Sequence, residues 1–239
     1  MGQSLELESV RKTLELMEDC IIFDLFRRSQ YKANQNTYAK GKLIPGFGGS
    51  LLDKLLVGRE MVDAGAGRYN DLREIPFFPD KVKDIKVLAQ GTQKKQLIAP
   101  VEINKNDEIK EMYLKALNSI CEPGDDKEYG SSAVLDIHCL QDLSSRIHLG
   151  KFVAECKWKA NREALLPLLE GKKWKEMEDR LRDRQVEKRI YKRVKEKGER
   201  YNIKPDFIGD FYISRVIPLT MSVEIEYLKE RREVWGNVP

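Results

Sequence analysis

Apolar residues recur at steps of three and four through nearly every long stretch of this chain, and nowhere do they hold the period of two that a half-buried strand needs. That spacing restricts the fold to packed amphipathic helices. Leu7, Val10, Leu14, Met17, Ile21 and Leu25 set the first, with Ser4 as its expected N-cap and Glu6 and Glu8 in its first turn. Residues 31–49 read as a connecting loop, and Ser50 caps a second helix that runs to Gly65-Ala66-Gly67. From Arg68 to Pro100 the pattern is irregular around Pro76-Phe77-Phe78-Pro79, which predicts loop and short helix packed over the core. Asn104 or Asn106 opens a third long helix that ends at Pro123-Gly124, and a fourth spans about Ser131 to Trp158. Trp174, Met177 and Leu181 keep one helical frame and Val186, Ile190 and Val194 another, so two helices meet near Asp183. The last starts near Pro205 and reaches about Arg232, with a kink expected at Pro218.

Composition narrows what such a bundle can do. Of the 239 residues, 41% are apolar and 34% charged, enough for one core beneath much solvated surface, and a single domain over residues 1–239 is the expectation. The net charge of +4 falls short of a dedicated nucleic-acid binder. Between Arg180 and Arg200 ten Lys/Arg face four Asp/Glu, but the interleaved acids and the lone Tyr191 point to a solvated helix face, so no nucleic-acid partner is expected. No apolar run approaches the roughly 18 residues of a membrane span, and nothing reads as a signal peptide. Cys20, Cys121, Cys139 and Cys156 lack paired short spacing and read as reduced core thiols, which fits a cytoplasmic home; a secreted form without its leader stays open. His138 and His148 lie ten apart on different faces, so neither a metal site nor a Ser/His/Asp group is indicated.

Several charges fall where the helical period puts apolar residues. Arg146 and Lys157 are eleven residues apart, three turns to within about 20 degrees, on a stripe shared with Cys139, Leu143, Gly150 and Val153. An unpaired ion there would cost several kcal/mol (~3 or more), so something anionic must answer each cation. Internal Asp/Glu partners or snorkelling to the core's edge are one answer; an anionic ligand is the other. Arg11 repeats the anomaly between Leu7 and Leu14. Thr220 and Glu224 share one face with Tyr227 and Leu228, which half-buries Glu224. Asp183 and Glu187 stand four apart at the helix break, where Asp183 reads equally as a plain N-cap. Together these residues suit a cavity for a small polyanion that carries hydroxyl groups.

The segments VRKTLELMEDCIIF (10–23), IPFFPDK (75–81), PGDDKEYGSSAVLDIHCLQDLSSRIHLGKFVAECKW (123–158) and IPLTMSVEIEYLKERR (217–232) resemble, in order and spacing, the all-helical chorismate mutases of fungi and plants, the AroQ class. The RIHLGKFVAE string is the specific part. The resemblance implies an all-α helical-bundle domain of about ten helices, in a homodimer, that rearranges chorismate to prephenate on the route to phenylalanine and tyrosine without a cofactor or metal. It places catalytic positions on Arg11, Arg146, Lys157, Glu187 and Glu224 and substrate-binding positions on Asp183 and Thr220. Fungal members carry asparagine where this chain has Asp183, and bacterial relatives of the fold carry aspartate.

Effector contacts of the regulated enzymes resemble Arg68, Gly130 and Ser131 here, but Gly67 stands where a second arginine is expected, Val134 replaces a threonine, and the connector Gly198 to Lys204 is short. Weak or absent feedback by tyrosine and tryptophan is therefore expected. The alternative is an inactive or secreted relative that acts as a binding protein.

Overall fold

A computed structural model describes residues 5–88 and 97–235, and among these there is no strand. Ten α-helices follow one another: α1 (Leu7–Ser29), α2 (Leu51–Gly65), α3 (Pro79–Val82), α4 (Asn106–Ile120), α5 (Tyr129–His148), α6 (Gly150–Glu170), α7 (Trp174–Leu181), α8 (Arg184–Arg200), α9 (Pro205–Phe211) and α10 (Ile217–Trp235). No described helix is long and apolar enough to cross a membrane.

The predicted elements recur with corrections that each have a local cause. Ser4 lies outside the described residues, and α1 opens at Glu6 with no side-chain cap. Ser50 does cap α2, in a reciprocal box with Asp53. The opening of α4 is settled at Asn106, whose N–H donates to the Asn104 side chain at 2.9 Å. The irregular stretch contains α3, and buried Glu60 of α2 accepts the N–H groups of Phe77 and Phe78 at 2.6 and 3.0 Å, which ties the loop to the core. The fourth helix is two: α5 stops at His148 and α6 continues past Trp158 to Glu170, with a non-helical residue, Asn161, inside. Leu149 between them keeps φ −59° and ψ −15°, so the frame is only tightened and Arg146 and Lys157 stay on one side. The break near Asp183 is present, with Asp183 as the N-cap of α8. At Pro218 the expected kink takes the form of a π-helical turn, Tyr212–Val216, joining α9 to α10; a wider turn accommodates the missing N–H and the ring.

Two buried polar clusters fix the helices that carry the candidate site. At one end Asp136 of α5 accepts from Arg28 Nε (2.7 Å), Tyr38 OH (2.8 Å) and Tyr113 OH (2.6 Å), which locks α1 and α4 to α5. At the other, Glu155 of α6 accepts from Tyr227 OH (2.5 Å) and Arg231 Nε (2.7 Å) of α10. Near the same crossing a Cβ on Gly150 would lie 2.7 Å from the carbonyl oxygen of Thr220, so only glycine lets α6 and α10 approach this closely. Asp136→Ala would strand the fully buried Arg28 guanidinium. We expect it to lower unfolding stability by about 3–5 kcal/mol in a denaturant titration, and a loss below about 1 kcal/mol would show that the pair is dispensable.

The cysteine expectation holds for three of four. All are free thiols, and Cys121, Cys139 and Cys156 are buried, but Cys20 is exposed because it falls on the outer face of α1. His148 is a core residue, its ring pushed down to about 4 by burial, and its Nε2 accepts the Lys105 N–H at 3.0 Å.

Candidate active site

A cavity of about 330 Å³ opens between α1, α5, α6, α8 and α10, and Arg11, Arg146, Lys157, Asp183, Glu187, Thr220 and Glu224 all line it. The charges that the helical period put on apolar faces thus converge on one space.

Arg146 is 2% exposed. Its Nη1 donates to Thr220 Oγ1 at 3.1 Å, and among the described residues its Nε has no partner. The Thr220 hydroxyl donates a hydrogen bond to the Val216 carbonyl at 2.8 Å, so its oxygen is free to accept from the guanidinium. Burial works against the Arg146 charge and pulls its pKa down, with only weaker opposition from Tyr212, Glu18 and Glu224. A guanidinium has five N–H donors, and a single neutral hydroxyl does not satisfy it. Arg11, at the margin of α1, has no ion pair among the described residues.

Lys157 is partnered, in a way that leaves capacity. Its Nζ donates to the Leu181 carbonyl at 2.7 Å and to Glu224 Oε2 at 2.7 Å. An ammonium carries three donors, so one remains for the cavity. Glu224 is 4% exposed, and burial raises its pKa, with Lys157 and then Arg146 pulling the other way. The direction that the sequence left open is therefore upward. One oxygen of Glu187 accepts from Arg182 Nε at 2.7 Å. Asp183 behaves as the plain N-cap: its Oδ1 takes the N–H groups of Gln185 and Val186 at 3.0 and 3.1 Å, and these bonds hold its carboxyl below the usual range.

The sequence reading missed Glu18, Arg193 and Lys197. Glu18 is buried on the floor of the cavity, held by Arg193 at 2.7 Å through both oxygens and by Lys197 at 3.2 Å. The signal was there, since Glu18 stands four residues after Leu14 and three before Ile21, and the test applied to Arg11 finds it too. The basic face of the 180–200 stretch is thus partly turned inward.

The three effector-like residues are not brought together within one chain. Arg68 pairs with Asp63 at 3.0 Å and with Glu74 at 2.9 Å, and Glu74 accepts from Ser145 at 2.8 Å. Ser131 lies fourteen residues up the same helical run from Ser145, about 21 Å away at 1.5 Å per residue, with Gly130 beside it.

The family model described as chorismate mutase type II matches residues 129–225. The chorismate mutase of Saccharomyces cerevisiae is 36% identical over 248 residues, covering 96% of this chain and 96% of the relative. The chain belongs to the chorismate mutase family. Among solved members of that family, the chloroplast chorismate mutase from Zea mays superposes with a TM-score of 0.90 at 36% identity, over 95% of this chain and 96% of that one. A chorismate mutase from Candida albicans in complex with L-Trp does so at 0.91 and 37%, over 96% and 93%. The all-helical class expected from the sequence is the class of these family members.

Proposed function

We propose that this chain converts chorismate to prephenate in its Arg146 cavity, as one catalytic domain and without a cofactor. The reaction is a unimolecular rearrangement in which an ether C–O bond breaks as a new C–C bond forms. It needs a folded substrate and stabilised charge rather than a nucleophile. Arg11 and Arg146 take the two carboxylates, for which the planar guanidinium fork is suited. Thr220 orients Arg146. The third donor of Lys157, together with the proton of a neutral Glu224, meets the ether oxygen as negative charge grows on it. Glu187 accepts the ring hydroxyl, with Asp183 beside it mainly as the cap that starts α8. The observation that carries this reading is the buried Arg146 guanidinium, whose one partner among the described residues is a hydroxyl, which leaves it in want of an anion.

Feedback, assembly and location belong to the same proposal. A family member 38% identical to this chain has been solved with tyrosine bound in an allosteric site, which speaks for feedback within the family and against the weak feedback expected from the sequence. In this chain Arg68 is already held by Asp63 and Glu74, and Gly67 and Val134 offer no guanidinium or hydroxyl in support, so we place its feedback by tyrosine and tryptophan as weak. A homodimer is supported by exposed Met61 and Val62 on α2 and Val134 on α5, and by the distance between Arg68 and Ser131, which a second chain could span. Four free thiols suit a cytoplasmic setting.

The purified protein in EDTA should consume chorismate, followed by loss of its absorbance, with prephenate formed one for one. Tyrosine or tryptophan at about 1 mM, near the top of ordinary ligand-affinity scales, should change the rate less than twofold (roughly). Absence of turnover would leave the inactive binding relative as the reading, and strong inhibition would restore the effector site.

A further inference from the structure

Leu181, Arg182 and Asp183 form the corner between α7 and α8, and each of them commits a polar group to a residue or helix that lines the cavity. The Leu181 carbonyl accepts from Lys157, Asp183 caps the helix that carries Glu187, and Arg182 Nε donates to Glu187 Oε1 at 2.7 Å. Arg182 is the C-cap of α7 with extended backbone, φ −72° and ψ 133°, and its guanidinium also stands 4.0 Å from Glu178 on the α7 side. It does not itself line the cavity, whereas Glu187 does.

We propose that Arg182 is a positioning residue of the site, which holds the Glu187 carboxylate in the orientation that receives the hydroxyl of the substrate ring. This rests on the role given to Glu187 above. A glutamate on the first turn of a helix has several rotamers open to it, and fixing one before the ligand arrives removes an ordering cost from binding. The Arg182 contact is one-pointed: Nε meets Oε1, and among the described residues no group donates to Oε2, so the second oxygen keeps its acceptor capacity for a ligand hydroxyl. The Arg182 side chain is 35% exposed, so its charge reaches a bound dianion only weakly through solvent. Its effect therefore runs through Glu187 and concerns one functional group of the substrate.

That selectivity gives the test. Two rigid bicyclic dicarboxylates, one with the hydroxyl and one without, are titrated against the wild type, Arg182→Ala, Glu187→Ala and the double variant, alongside kcat and KM for chorismate. Arg182→Ala should weaken the hydroxylated mimic and lower kcat/KM by about fivefold, the scale of one partly exposed charge-assisted contact. The mimic without the hydroxyl should bind Arg182→Ala as it binds the wild type. In the Glu187→Ala background the Arg182 change should cost less than about twofold, because its target is gone. Arg182→Lys, which keeps the charge on a shorter-reaching donor, should recover part of the loss. Equal weakening of both mimics, or losses that multiply in the double variant, would overturn the positioning role. If Arg182→Ala does not fold, Arg182→Met keeps the stem and carries the same expectation. A wild type that binds both mimics equally would remove the hydroxyl role of Glu187 and this inference with it. A wild type that prefers the hydroxyl, with that preference surviving in Arg182→Ala, would overturn the inference alone.

Discussion

Lys157→Ala is expected to lower kcat by about 100-fold or more while KM changes little, because the lost contact forms with charge that exists only as the ether bond breaks. The ammonium is well placed for this. Two of its donors are fixed at 2.7 Å, on the Leu181 carbonyl and on Glu224, so no reorganisation is needed when the third is used. The variant also leaves Glu224 buried without its cation, which raises the carboxyl pKa further and keeps the fold tolerant of the change. A thermal melt alongside the kinetics separates the two consequences. A loss carried by KM alone would mean that Lys157 binds a ground-state carboxylate instead.

The second large effect is a pH profile. Glu224 acts as a donor only when protonated, and burial raises its pKa above the ordinary carboxyl range. Bound dianion raises it again by like charge. Activity should therefore be full below the raised pKa and fall about tenfold per pH unit above it. Glu224→Gln keeps an N–H donor toward the cavity and an acceptor for Lys157 at every pH, so its profile should be flat across the same range and cross above the wild type on the alkaline side. A variant that falls in step with the wild type would remove Glu224 from the mechanism. A wild-type rate level well into alkaline pH would leave Lys157 as the sole donor at the ether oxygen. The same shift bears on stability: a carboxyl whose folded pKa is raised favours the fold at low pH, and that contribution fades as pH rises from the unfolded value through the folded one.

The site was more legible in the sequence than the fold around it, for a physical reason. A charge on an apolar helical face is costly wherever the helix packs, so Arg11, Arg146, Lys157 and Glu224 stood out from spacing alone and share one cavity. Helix ends depend on what packs against them. The tightened turn at Leu149 lies beside the Gly150–Thr220 approach, and the π-helical turn before Pro218 resolves a missing donor in a way that only the neighbouring helices select. Both are tertiary facts. Glu18 was readable and overlooked. Arg182 was not readable, since a surface arginine at a helix corner has no pattern until Glu187 is seen 2.7 Å away. The resemblance supplied the substrate, which no spacing could.

A cavity that receives a compact dicarboxylate, with Arg146 as its buried anchor, must tell two carboxylates from one. The most direct test is the shift in melting temperature caused by a bicyclic dicarboxylate mimic of the transition state, against that caused by its monocarboxylate counterpart at equal concentration. A ligand present at a hundredfold excess over its Kd stabilises the folded protein by about 2.7 kcal/mol, so the dicarboxylate should raise the melting temperature by several degrees more, and Arg146→Ala should erase most of that difference. Equal shifts from the two ligands in the wild type, or a difference untouched by Arg146→Ala, would mean that Arg146 anchors no carboxylate there.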